Sequence, residues 1–155
     1  MARLDNSDFG SRTAFASMKL HRLVLPGFGP FHAKIAVVEL LEFQRGIALF
    51  NLAKFFEAHE VLEDIWRPMD LSDSDRLVMQ GVVQVAVALH HQSTGNRTGA
   101  LSVMRRAARN LAPAKDHAFG VRIDRLRPAL NDWIHALEQH GNPPAPKIEF
   151  LSQGE

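Results

Sequence analysis

The stretch from Asp75 to Gln92 constrains this chain more than any other. Leu77, Val78, Val82, Val83, Val85, Ala86, Val87 and Leu89 cover nearly every side of a helix at about 100° per residue, and such a helix is stable only when neighbours enclose it. The chain is therefore expected to be all-α, a single bundle centred on this segment. Apolar residues recurring at three- and four-residue steps supply four more helices. The first runs from Val38 to Asn51 and joins or kinks into the second, Leu52 to Trp66, which Pro68 closes. Asp70 to Asp75 reads as a turn-rich acidic connection. Asn96 is placed to cap a fourth helix ending at Leu111, ahead of Pro113. A fifth falls between Asp124 or Pro128 and His140 and stops at Gly141. No strand-like alternation of useful length is present.

At 155 residues the chain is long enough for one domain with its own core. The expected layout is a flexible leader over residues 1–35, a helical domain over 36–141 and an extended tail over 142–155. Ile148, Phe150 and Leu151 are the tail residues able to clip onto the bundle. The leader's apolar runs, Leu23 to Leu25 and Ile35 to Val38, are interrupted by Pro26, Gly27, Gly29 and Pro30, too short for a signal peptide or a membrane span. No membrane partner is expected. The absence of cysteine removes disulfides, thiolate zinc sites and a cysteine nucleophile, and fits a cytoplasmic location. No G-x-S-x-G elbow or phosphate-cradling glycine loop occurs.

The chemistry concentrates on the second helix. On a wheel, Ala58, Leu62, Phe55, Trp66, Leu52 and Phe56 form one arc, and His59 and Glu63 fall inside it, while Glu57, Glu60 and Asp64 sit opposite. Outward acids need no explanation. An inward carboxylate must be paired, protonated or bound to a cation, because a bare buried charge costs several kcal/mol (about). His59 and Glu63 are four residues apart, so their side chains meet. In one reading the pair hydrogen-bonds internally and locks helix packing. In another it supplies two ligands to a divalent metal, zinc, manganese or iron. In a third the carboxylate orients the imidazole for metal-free acid/base work. The run His59-Glu-Val-Leu-Glu63 is not the zinc-protease H-E-x-x-H, because its fifth position is glutamate. On the third helix Gln80, Gln84 and His91 share a polar stripe that is either a solvated face or a second wall of the site, and His90 points about 100° away from His91.

The segments Phe55-Phe-Glu-Ala-His-Glu-Val-Leu-Glu-Asp-Ile-Trp66, Gln80 to His91, Gly95-Asn and Gly99-Ala-Leu101 resemble the bacterial and archaeal family called domain of unknown function 309, over roughly residues 43–112. Its hallmark, His-x-x-x-Glu-x-x-(Trp or Tyr), is matched by His59, Glu63 and Trp66. The resemblance implies a small helical bundle and metal binding by the His/Glu motif. It also implies that Gln80 and His90 are the recurring polar residues of the central helix, where the wheel selects Gln84 and His91 beside Gln80.

The formal charge of +1 hides a segregation. Residues 57–75 are acidic, whereas residues 97–127 carry eight basic side chains against Asp116 and Asp124. Arg105, Arg106 and Arg109 share the outer side of the fourth helix. With no aromatic residues interleaved, this reads as a solvated face or a docking face for an acidic partner protein, not a nucleic-acid surface. Homo-oligomerisation stays open.

Overall fold

The computed structural model describes residues 37–152. Among them are five α-helices: α1 (Val37–Asn51), α2 (Phe55–Trp66), α3 (Asp73–Ser93), α4 (Arg97–Leu111) and α5 (Ile123–Glu138). A short 3-10 turn, Ala118–Gly120, precedes α5. Each helix packs chiefly on its neighbour in sequence: α1 on α2, α2 on α3, α3 on α4 and α4 on α5. The expected leader over residues 1–35 lies outside the described residues. No helix of the described residues is long and apolar enough to cross a membrane.

As the residue pattern requires, α3 sits in the middle. Val78, Met79, Val82, Val85, Ala86 and Leu89 are buried, each large aliphatic side chain contributing about 1.5–3 kcal/mol. They join Phe43, Ile47 and Phe50 of α1, Leu62 of α2, Met104 and Leu111 of α4, and Leu126, Leu130 and Trp133 of α5 in one core. Two glycines set the closest approaches. A Cβ on Gly81 of α3 would stand 2.7 Å from Leu111 Cγ, and one on Gly46 of α1 would stand 2.6 Å from Leu62 Cδ2.

The helix ends explain where the pattern misled. The second helix begins at Phe55 rather than Leu52, because residues 49–54 close α1 with a C-terminal motif: Lys54 N–H donates to Leu49 O and Ala53 N–H to Phe50 O. This motif needs a left-handed residue, and Ala53 fills it at φ 61°, where glycine is the usual occupant. Helix α3 starts at Asp73, inside the expected connection, because Ser72 Oγ accepts from Asp75 N–H. Its early aspartates then face the positive end of the helix dipole. Asn96 caps α4 as expected, accepting from Gly99 N–H at 2.9 Å. Helix α5 starts at Ile123, ahead of both expected starts, and carries Pro128 within it.

The tail does clip onto the bundle. Ile148 is buried, and Asn51, the last residue of α1, donates to Ile148 O at 2.8 Å and accepts from Ile148 N–H at 3.0 Å. Lys147 Nζ donates to Asn51 O. Beyond it, Arg122 N–H donates to Glu149 O and Leu151 N–H to Gly120 O, forming an isolated antiparallel bridge between Val121 and Phe150. The Phe150 ring meets Phe43 edge-on at 5.8 Å.

Candidate functional site

Helix α2 buries Ala58 and Leu62. His59 and Glu63 lie about 80° and 120° from that buried line at 100° per residue, which puts them at the margin of the interface. Their side chains are 28% and 29% exposed, so the inward placement expected from the wheel becomes a half-open one. The shorter helix explains this. Leu52, counted on the apolar arc, lies outside α2 and is 70% exposed, and Phe56 is 49% exposed.

The pair does form. His59 Nε2 lies 2.9 Å from Glu63 Oε2, and the other carboxylate oxygen accepts from Arg67, one turn further on. His59 and Glu63 belong to α2, and Arg67 is the residue that caps its C-terminus. Arg67 follows Glu63 at the same four-residue step that joins His59 to Glu63, the sequence signal for its role.

Two contacts fix the register of α2 against α3. The Arg76 guanidinium lies 5.8 Å from the Trp66 ring centroid, and the Phe56 and His90 rings are 5.4 Å apart. The helices therefore run antiparallel, and interpolation between these two contacts brings Gln80 roughly level with Glu63 and Ala86 roughly level with His59. Arg76 and His90 lie on the side of α3 turned toward α2. Phe56 also lies 6.3 Å from His59, making it the ring between the two histidines, a role the wheel gave no reason to assign.

The other two candidates face elsewhere. Gln84 accepts from Asn110 of α4 at 2.9 Å, and His91 Nδ1 lies 3.2 Å from Asn96 Nδ2 at the start of α4. The structure thus brings His90, through Phe56, to the His59 side, turns Gln84 and His91 toward α4, and leaves Gln80 half-buried between the two directions. Trp66 closes the far end of the seam, and its indole Nε1, like that of Trp133 in the core, is buried without an acceptor. A small apolar hollow bounded by Leu40, Phe43, Ile65, Met69, Met79 and Phe119 holds about 10 Å³, room for no more than one water, and includes neither His59 nor Glu63.

Every residue of this seam falls within one matched segment. Residues 43–103 match the family model of the domain of unknown function DUF309. The resemblance read from the sequence therefore holds from α1 into α4, and leaves α5 and the tail outside. An uncharacterized protein of Aquifex aeolicus (strain VF5) is 27% identical over 104 residues, which cover 67% of this chain and 31% of that relative. The chain spans about a third of the relative's length. Neither the DUF309 description nor the relative's name assigns a chemistry.

A resident metal is a poor fit to the donors present. His59 and Glu63 supply two ligands where a structural or catalytic ion needs three or four, and both Glu63 oxygens already have partners. Among the described residues no group of three His, Cys, Asp or Glu side chains comes together around a point.

Proposed function

We propose that the α2–α3 seam binds a small polar ligand, with the His59–Glu63 pair as its polar centre and Gln80 and His90 across from it. The observation that carries this reading is that the pair bonds within one helix while staying more than a quarter exposed. A lock must bridge two elements, and among the described residues the hydrogen bonds of His59 and Glu63 run to each other and to Arg67.

The arrangement has a definite chemistry. Glu63 accepting from Nε2–H fixes the neutral imidazole in the tautomer whose Nδ1 carries the lone pair. That nitrogen can take a hydrogen bond or a proton from a ligand, the Glu63 carboxylate then supporting the charged ring. The Gln80 amide offers both a donor and an acceptor at the same level of the seam.

The test is backbone and histidine NMR of the full chain with a panel of small carboxylates, amides and amines, beside elemental analysis of untagged, chelator-free protein. Saturable shifts confined to residues 56–67 and 80–90, absent in His59→Ala, are expected. No saturable shift with any probe, together with a loss of about 1 kcal/mol or more of stability in His59→Ala, would overturn the reading in favour of a packing role. Near-stoichiometric zinc, manganese or iron, lost in both His59→Ala and Glu63→Gln, would replace it with a metal site.

A further inference from the structure

Helices α2 and α4 flank α3 on one face of the bundle and carry opposite charge. The side of α2 toward α1 holds Leu62, against Gly46, and the side toward α3 holds Trp66 and Phe56. What is left free carries Glu60 and Asp64, both exposed and neither in an ion pair among the described residues. On α4, Leu111 and Asn110 face α3, and Arg105 pairs with Glu138 of α5. The remaining side carries Arg106 and Arg109, likewise exposed and without an ion pair among the described residues. Between these walls the floor is the half-exposed polar side of α3, and Phe56 and Leu77 are large apolar side chains left 49% and 40% exposed beside it.

We propose that this face binds a second copy of the chain about a two-fold axis parallel to α3. Two two-folds bring the face onto itself with the helices of the two copies aligned. An axis across α3 sets α2 on α2 and α4 on α4, placing like charges opposite each other. An axis along α3 sets α2 of one copy on α4 of the other, twice over, so that Glu60 and Asp64 meet Arg106 and Arg109 at both edges. Complementary charge selects the second arrangement and rejects the first. With α3 about 30 Å long and helix axes about 8–10 Å apart, the face measures roughly 600 Å², close to the about 800 Å² per partner of a stable interface. The proposal does not rest on the ligand reading. Where both hold, the partner's α4 closes the open side of the seam.

Sedimentation equilibrium of the full chain tests it. Wild type is expected to dimerise, more weakly as salt rises. Glu60→Arg with Asp64→Arg, and separately Arg106→Glu with Arg109→Glu, should each weaken the dimer at least tenfold, because both edges become like-charged. Mixing the two variants should restore a heterodimer, since each edge then pairs opposite charges. Circular dichroism checks that both variants fold, and the mixing step is itself a folding control. A monomeric wild type, a dimer that survives both reversals, or variants that fail to complement one another overturns the proposal. So does a dimer broken instead by Val38→Lys with Leu41→Lys, on the exposed face of α1.

Discussion

Polar side chains do opposite things at two places in this bundle. At the tail, Asn51 reaches across 97 positions to both backbone groups of Ile148, and Arg122 N–H reaches Glu149 O. At the α2–α3 seam, His59, Glu63 and Arg67 satisfy one another along α2 and its C-cap. The first kind of bond exists only when two distant elements are docked, so it adds directly to fold stability. The second survives in an isolated helix and leaves its outer lone pairs available to a ligand. Long-range bonding marks architecture here, and local bonding on a half-open surface marks the place to look for binding.

The contrast can be attacked at either end. Ile148→Ala should cost the most, about 2–5 kcal/mol for an aliphatic side chain removed from a full core, measured by urea unfolding. Asn51→Ala removes both side-chain bonds to residue 148 and should cost about 1–3 kcal/mol. Amide exchange at residues 148–151 should rise more than elsewhere. Between the two regions, Ala53→Gly relieves a left-handed alanine and should raise stability by about 1 kcal/mol, read as a higher melting temperature. Glu63→Gln should cost less than about 1 kcal/mol, as exposed i,i+4 pairs do, while moving the His59 ring resonances; a larger loss would erase the distinction. The smallest effect is one of pH. The Arg122 guanidinium beside Asp124 lowers its carboxyl pKa to about 2 from 3.8. A lowered folded-state value means stability that is complete above the unfolded pKa and disappears as pH falls from about 4 through 2. Unfolding of Asp124→Asn should lack this component of the acid dependence.

Much of the fold was legible because helices advertise themselves by period, and α3 by apolar residues on nearly every side but one narrow polar stripe. The break at residues 52–54 was not, since Asn51-Leu-Ala-Lys54 holds neither glycine nor proline and the turn is made by an alanine in an unfavourable conformation. Pro128 left the start of α5 open between Asp124 and itself, because proline is commonest in a first turn, and the helix begins at Ile123, next to the earlier of the two. The His59–Glu63 pair followed from spacing alone, but its exposure depended on where α2 begins. A wheel gives directions about one axis and does not say which neighbour lies in each. Grouping Gln84 and His91 with Gln80 on one stripe thus hides that the first two meet Asn110 and Asn96 on the α4 side, while His90, about 100° from His91, is the residue that meets α2 through Phe56. Asn51 reads locally as an ordinary helix end, and nothing near it points to residue 148.

The tail clamp also sets a timetable for synthesis. The successive contacts of α1 through α4 join near neighbours in sequence and can form as the chain emerges. The seam has all its residues by position 90. Asn51, by contrast, keeps its amide facing water until nearly a hundred further residues have been made. Until then the nascent protein carries the residues of the seam on a core that still lacks Ile148 and its two bonds to Asn51.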